Sequence, residues 1–214
     1  MDRSEFIRRV RSATQTAVLV DSPPEDPGQW VPDLPEVDLV DHFRVQMEAV
    51  HGEVLTVPPA QAIAEVIERH SLESFVSWDL DQIDGLDALP ESLERLDTTV
   101  PRDAGGRREL NASLHRAGLG ITGAEAGFAE SGSIVLRSGA GRSRMASVVP
   151  LVHVAVLRRE RIVRSVSHWM AAEGAGVGDA ANVLFITGPS KTGDIEMILT
   201  LGVHGPRYLY VVLI

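Results

Sequence analysis

The chain has 214 residues, of which 44% are hydrophobic and 23% are charged, so it is long and apolar enough to fold around a core. Its formal net charge is -10, which argues against a nucleic-acid partner, because phosphate binding needs a concentrated basic surface. It contains no cysteine, which excludes disulfides, thiolate-bound zinc and cysteine-ligated iron–sulfur clusters in this chain.

The expected location follows from the lengths of the apolar segments. The most apolar runs, 148–157 and 208–214, fall well short of the roughly 20 residues that a membrane-spanning helix needs. The first ten residues mix acids and bases and lack the apolar centre of a signal peptide. We therefore expect a cytoplasmic protein without membrane insertion.

The N-terminal part predicts helices on either side of a proline-rich loop. Apolar side chains have helical spacing over 3–18, and the prolines between Pro23 and Pro35 then predict a loop. A third helix is favoured after Pro58, because proline suits the first turn of a helix. We expect an N-terminal helix and loop over 1–36 and one α/β domain over 37–214. In the first part of that domain the predictions are a helix at 37–50, strands at 54–57 and 74–78, and an irregular acidic segment at 79–103.

The C-terminal part alternates short apolar strands with helices. Its β-branched runs are bounded by glycine, serine and proline, which is typical of buried strands. This alternation indicates a parallel or mostly parallel sheet with helices on both faces. The predicted strands lie at 119–122, 133–137, 153–157, 183–187 and 208–214, and the predicted helices at 107–116, 164–173 and 192–201.

Segment 120–133 is the first candidate for a functional site. It combines glycines, which let a backbone approach a ligand closely, with two acidic residues that could converge from a loop. Either acid could act as a general base or a carboxylate nucleophile. The alternative is that the glycines form turns and the acids are solvated. The candidates are Glu125 and Glu130 for catalysis, and Thr122, Gly123, Ser131 and Gly132 for ligand binding.

Segment 188–194 is the second candidate, between a predicted strand and the predicted helix at 192–201. A helix that begins here would direct free N–H groups and a positive dipole end towards an anion beside Lys191, the only lysine in the chain. The alternative is a capped helix with a solvated lysine. The ligand-binding candidates are Gly188, Pro189, Ser190, Lys191, Thr192 and Asp194, with His204 from a nearby glycine-flanked turn.

Other patterns give weaker indications. No histidine spacing supports a metal site, and no GxGxxG pattern supports a dinucleotide, so we expect neither a metal nor a cofactor. His153 interrupts an apolar strand. Arg142 and Arg144 could clamp an anion from the 139–144 loop, but a solvated hairpin tip is the favoured interpretation.

The second half of the chain, over about 106–214, resembles the LUD domain of the lactate-utilization protein C family. The matching motifs occur in the family's order. They are Gly120-Ile121-Thr122-Gly123-Ala124-Glu125, Ala129-Glu130-Ser131-Gly132-Ser133, Pro150-Leu151-Val152-His153-Val154, Thr187-Gly188-Pro189-Ser190-Lys191-Thr192-Gly193-Asp194 and Gly202-Val203-His204-Gly205-Pro206.

This resemblance implies a three-layer α/β/α sandwich with a mostly parallel sheet, similar to sugar-phosphate isomerases and CoA-transferases. It also implies a cluster-free component that helps bacteria oxidise L-lactate to pyruvate together with iron–sulfur partner proteins. Two alternatives stay open: a stand-alone enzyme of the isomerase or CoA-transferase type, and a regulatory domain that binds a metabolite. In the enzyme, Lys191 would hold a small carboxylate or phosphate while Glu125 or Glu130 moves a proton. A homodimer also stays open.

Overall fold

The structure is a computed structural model that describes residues 2–15, 38–193 and 199–214. The chain divides into two compact units, Met1–Pro32 and Asp33–Ile214. In the first unit, helix α1 spans Arg3–Gln15, in agreement with the predicted helical spacing, and positions 16–18 lie outside the described residues. All other elements belong to the second unit.

The described part of the second unit alternates helices with short strands. Its helices are α2 (Leu39–Ala49), α3 (Pro59–His70), α4 (Ala104–Leu114), α5 (Met145–Val148) and α6 (Val166–Glu173). Its strands are β1 (Glu53–Leu55), β2 (Ser74–Ser77), β3 (Glu94–Arg95), β4 (Leu119–Gly123), β5 (Ala126–Phe128), β6 (Ser133–Ser138), β7 (Val152–Leu157), β8 (Ile162–Val163), β9 (Asn182–Ile186), β10 (Lys191–Gly193), β11 (Leu199–Leu201) and β12 (Tyr208–Leu213).

A six-stranded parallel sheet forms the centre of this unit. Its strand order is β1-β12-β7-β4-β2-β3, and every neighbouring pair is parallel. All six residues of β7 are buried, as expected for a strand covered on both faces, which explains its unbroken apolar run. The α/β fold class and the mostly parallel sheet predicted from the sequence are therefore confirmed.

A smaller mixed sheet continues from the end of β4. It has the order β8-β5-β6-β9, with β6 antiparallel to both of its neighbours. Two backbone bonds connect the sheets at this point: Ala124 N donates to Val156 O over 2.8 Å, and Glu125 N donates to Val135 O over 2.8 Å. Residues 124–125 are therefore fixed between the two sheets.

Local sequence signals set several helix starts. The Asp38 carboxylate accepts from Val40 N over 2.8 Å and caps α2. Pro59 stands in the first turn of α3, where its missing N–H costs no helical hydrogen bond. Ser165 accepts from His168 N and caps α6.

The predicted helix at 192–201 is wrong in the described residues. Lys191–Gly193 and Leu199–Leu201 instead form an antiparallel pair, with Thr192 opposite Thr200. The β-branched Thr192 and Thr200 favour a strand over a helix, although the apolar spacing suggested a helix. Backbone bonds close this hairpin, because Gly202 N donates to Ser190 O and Ser190 N donates to Pro206 O, each over 2.8 Å.

Two general findings concern the described residues only. None of their helices is long and apolar enough to cross a membrane. They also contain no group of three or more histidine, aspartate and glutamate side chains that could hold a metal ion.

Candidate functional site

A large polar cavity opens at the carboxyl ends of β2 and β3. We call this the carboxyl-edge cavity; its volume is about 620 Å³. The ends of parallel strands are the usual ligand-binding position in α/β sheets, because the loops that follow neighbouring strands converge there. Its polar lining residues are Ser77, Asp79, Arg95, Asp97, Thr98, Thr99 and Ser143.

The charged groups of this cavity lie at the end of β3, which supplies Arg95, and in the segments that follow β2 and β3, which supply Asp79 and Asp97. Arg95 Nη2 lies 3.5 Å from Asp79 Oδ1, and both side chains are about half exposed. Asp97 accepts from Thr99 N over 2.9 Å, and bonds from the backbone and side chain of Thr99 lower the pKa of its carboxyl group. The cavity therefore offers carboxylates, a guanidinium and hydroxyls, which suit a small ligand with both an acid and a hydroxyl group.

Ser77 is the most unusual residue of the cavity wall. It is the last residue of β2, only 6% of its surface is exposed, and its Oγ has no hydrogen-bond partner among the described residues. A buried hydroxyl without a partner lowers stability, so such groups are rare in folded proteins. Since this oxygen is itself buried, a ligand in the adjoining cavity would reach it only after a small local movement.

Residues 139–143, which we call the 139–143 loop, form one wall. Gly139 and Arg142 form an isolated antiparallel bridge within the loop. Asp79 N donates to Gly141 O over 2.8 Å, and Trp78 Nε1 donates to Ser143 O over 3.2 Å. These two hydrogen bonds fix the loop at the end of β2. The expectation of a solvated hairpin tip is wrong for Arg142, because its side chain forms an ion pair with Glu125.

Glu125 is held by two arginines. Its Oε1 accepts from Arg142 Nη1 over 2.7 Å, and its Oε2 lies 2.8 Å from Arg137 Nη2. Only 16% of the Glu125 side chain is exposed. Both carboxylate oxygens of Glu125 are therefore engaged by guanidinium groups.

The remaining candidates from segment 120–133 have structural surroundings. Gly132 has a φ of 63°, and a Cβ on it would lie 2.2 Å from Met47 N, so only glycine fits here against α2. A hydroxyl chain runs from Ser131 through Ser133 to Thr187, with oxygen separations of 2.8 and 2.7 Å. Glu130 is half-buried, and its backbone N donates to Arg164 O over 3.0 Å.

Thr122 forms a buried pair that the sequence did not reveal. Its Oγ1 lies 2.9 Å from His153 Nε2, and both residues are almost fully buried. Burial lowers the pKa of His153 from 6.5 to about 3, because the charged imidazolium would lose its hydration. His153 is therefore neutral at neutral pH.

The second predicted segment lines a different cavity, near the amino ends of β7 and β12. We call this the amino-edge cavity; its volume is about 230 Å³. Gly188, Pro189, Ser190 and His204 line it, together with His153 and the apolar side chains of Val148, Phe185, Ile186 and Leu209. Lys191 and Thr192 belong to β10, where Lys191 is exposed, and Asp194 lies outside the described residues.

The predicted site residues are therefore divided among separate places. Glu125 and the 188–190 segment line different cavities. The helix N-terminus invoked for anion binding at Lys191 is replaced by a β-hairpin. The sequence reasoning missed the carboxyl-edge cavity, although polar residues directly after an apolar strand, as in Ser77-Trp78-Asp79, were an available signal.

Comparison with known proteins identifies the family. The family model described as LUD domain matches residues 40–214. The chain belongs to the LUD domain family. The resemblance inferred from the ordered motifs is thus confirmed, and the match extends well beyond them towards the N-terminus.

Relatives of this LUD domain include curated proteins called lactate utilization protein C. One from Halalkalibacterium halodurans is 36% identical over 71% of this chain and 67% of its own length. One from Geobacillus sp. is 31% identical over 79% of this chain and 75% of its own length. A crystal structure of a duf162 family protein from Deinococcus radiodurans shares the fold, with a TM-score of 0.60 at 20% identity, and covers 85% of this chain and 99% of that one.

Proposed function

We propose that the protein acts in bacterial lactate utilization, as a component of a system that oxidises L-lactate to pyruvate. The observation that carries this proposal is its similarity to relatives called lactate utilization protein C over most of the LUD domain. The carboxyl-edge cavity supports it, because its guanidinium, carboxylates and hydroxyls suit a small hydroxy acid.

Partner proteins are part of the proposal. Conversion of lactate to pyruvate removes two electrons and two protons in all, because the C–H bond of the hydroxyl-bearing carbon and the O–H bond of its hydroxyl group are both broken. Since this chain has no cysteine, it cannot supply the thiolates that usually hold an iron–sulfur cluster. We therefore assign the transfer of electrons to iron–sulfur partner proteins, and the binding or positioning of the acid to this chain.

Growth on L-lactate as sole carbon source tests the proposal. A strain that lacks the gene should fail to grow on lactate but grow on pyruvate, and the wild-type gene should restore growth. Arg95→Ala should restore growth poorly, because Arg95 lines the carboxyl-edge cavity. Arg116→Ala is the matched control, because Arg116 pairs with Glu94 beside Arg95 but does not line the cavity. Normal growth of the deletion strain on lactate would contradict the proposal.

Co-purification tests the partner assignment. The tagged chain, isolated from cells grown on lactate, should retain iron–sulfur proteins, which absorption spectra and iron analysis would detect. Light scattering after size exclusion would separate such a complex from a homodimer. A chain that stays without other proteins at micromolar concentration would count against the partners.

One observation favours a second candidate, a stand-alone enzyme that acts on a small anion. The carboxyl-edge cavity contains an ion-paired carboxylate and guanidinium, Asp79 and Arg95. Turnover of lactate, sugar phosphates or acyl-CoA esters by the isolated chain would support this candidate. Binding without turnover would instead favour a regulatory domain.

A further inference from the structure

A third cavity lies on the side of the 139–143 loop that faces away from the carboxyl-edge cavity. We call it the arginine cavity; its volume is about 270 Å³, and it shares Gly139 with the carboxyl-edge cavity. Its wall contains Glu125, Arg137 and Arg142, with Gln82, Gly176 and Asp179 around them. This size is at or just below the lower end of typical small-ligand pockets, and so fits a small metabolite.

Positive charge is in excess in the least exposed part of this wall. Two guanidiniums share the single carboxylate of Glu125, and the exposed fractions of Arg137, Arg142 and Glu125 are 18%, 35% and 16%. Electrostatic attraction between groups this far from solvent is stronger than at the surface. An additional anion beside the two arginines would therefore be stabilised.

The other charges nearby lie towards solvent. Glu173 Oε2 is 3.7 Å from Arg137 Nη2, but 59% of the Glu173 side chain is exposed. Asp179 is an exposed residue of the wall, and the exposed Arg161 donates to the Glu125 carbonyl oxygen over 3.4 Å. The two exposed carboxylates outnumber the one exposed guanidinium, but water and salt screen exposed charges, so they offset the inner positive excess only in part.

One donor group of Arg137 is unused within the described fold. Arg137 Nε is buried and has no hydrogen-bond partner among the described residues. Its Nη1 donates to Gly176 O over 3.3 Å, and a Cβ on residue 176 would lie 2.9 Å from that nitrogen. Glycine at this position thus permits the close approach of the backbone to the guanidinium.

Both guanidiniums lie close to an aromatic ring. Arg137 Cζ lies 5.7 Å from the centre of the Trp169 ring, and Arg142 Cζ lies 5.6 Å from that of Trp78. Arg142 Nε also donates to Gln82 Oε1 over 2.8 Å. Such fixation reduces the entropy that the side chains lose when they bind a ligand, and planar guanidiniums suit the two oxygens of a carboxylate.

We infer that the arginine cavity binds the carboxylate of a small organic acid through Arg137 and Arg142, and that Glu125 is the internal carboxylate with which this ligand competes. Glu125 is thus a charge-balancing residue and not the base. The choice of lactate and pyruvate as first ligands rests on the proposed function, whereas the ligand class rests on the arginines.

Calorimetric titration of the full chain at low ionic strength tests this inference. The probes are the sodium salts of L-lactate, pyruvate, acetate and malonate, with sodium chloride and sodium phosphate for comparison. At least one organic acid should bind wild type, and Arg142→Ala should weaken its binding tenfold or more. Arg142→Lys should weaken it less than Arg142→Ala, because the charge is kept but the two-pronged geometry is lost.

The matched control is Arg158→Ala. Arg158 also contacts two carboxylates, Asp84 and Glu160, and 44% of its side chain is exposed, but it does not line the cavity. This variant should bind the acid as wild type does. Equal loss in Arg158→Ala and Arg142→Ala would show a general charge effect and overturn the inference.

Glu125→Gln should change the affinity for the organic acid in the opposite direction to Arg142→Ala. Removal of the competing charge should tighten acid binding severalfold, whereas a merely structural Glu125 predicts weaker binding. Weaker binding by a folded Glu125→Gln chain, or no organic acid bound by wild type, would overturn the inference. Melting curves of each variant establish that it is folded.

Growth assays on lactate distinguish a failure of this inference from a failure of the proposed function. If Arg142→Ala loses acid binding but still restores growth, the site is supported and lactate utilization does not depend on it. If the deletion strain grows normally on lactate while wild type binds an acid at Arg142, the proposed function fails and the site stands. Unchanged acid binding by Arg142→Ala overturns the site, whatever its effect on growth.

Discussion

The two ends of the central sheet have cavities of opposite character. At the carboxyl ends of β2 and β3, the wall is mainly polar and includes Asp79, Arg95 and Asp97. At the amino ends of β7 and β12, the wall combines apolar side chains with a histidine that is neutral at neutral pH. The difference follows from chain direction, because loops that leave parallel strands carry the polar groups, whereas the amino ends here are covered by packed elements.

The amino half of the sheet depends on close packing, and Gly120→Ala should show this with the largest effect. A Cβ on Gly120 would lie 1.8 Å from Ala146 O, in the backbone of α5, so the helix would have to move. We expect the free energy of unfolding to fall by about 3 kcal/mol, as for severe overpacking of a core. Urea denaturation measures this change.

Gly139→Ala is the matched control for that experiment. Gly139 belongs to the 139–143 loop, and a Cβ on it would have no neighbour within 4 Å. Its free energy of unfolding should therefore change by less than about 0.5 kcal/mol, as for most surface substitutions. Similar losses at positions 120 and 139 would remove the contrast between a packed amino half and an open carboxyl edge.

The buried His153 should make stability depend on pH. Its pKa is about 3 in the folded chain against 6.5 for the ordinary side chain, so between these values the unfolded chain binds a proton that the folded chain does not. The free energy of unfolding should therefore decrease as the pH falls below 6.5, by about 1.4 kcal/mol per pH unit and by about 2 kcal/mol at pH 5. Above pH 6.5 the contribution is absent.

Comparison with His153→Gln isolates the contribution of His153 to the pH dependence of stability, because glutamine stays neutral and can still form a hydrogen bond with Thr122. Urea denaturation at several pH values should give wild type a steeper loss of stability between pH 6.5 and 5 than the variant. The exposed His115→Gln serves as control and should keep the wild-type slope. Equal slopes for wild type and His153→Gln would show that the histidine is charged in the folded chain.

The sequence predicted the central sheet well because its strands are apolar runs. Residues 153–157 and 208–214 were predicted as strands and form β7 and β12, since each is buried throughout most of its length. The two-residue β3 lay in the acidic segment at 79–103 and escaped prediction, because two residues carry no periodicity. The hairpin of β10 and β11 was predicted as a helix because spacing outweighed β-branched composition.

The sites were harder to predict because they depend on distant pairing. Glu125 was predicted as a candidate catalytic acid from its glycine-rich segment, but its partners Arg137 and Arg142 are brought to it by β6 and the 139–143 loop. Neither contact has a signature in the local sequence. His153 and Thr122 are 31 positions apart and meet only because β4 and β7 are neighbours.

The smallest expected effect comes from comparing two serines on the same strand, one with a structural hydrogen bond and one without such a partner among the described residues. Ser74 and Ser77 are both buried on β2, but Ser74 Oγ donates to Arg116 O, whereas Ser77 Oγ has no partner among the described residues. Ser74→Ala should therefore lower the free energy of unfolding by about 1 kcal/mol, and Ser77→Ala should leave it unchanged or raise it by up to about 1 kcal/mol. If the Ser77 hydroxyl exists for a ligand, Ser77→Ala should also impair growth on lactate despite its intact stability. A loss of stability in Ser77→Ala equal to that in Ser74→Ala would show that Ser77 has a structural partner and would detach it from the carboxyl-edge cavity.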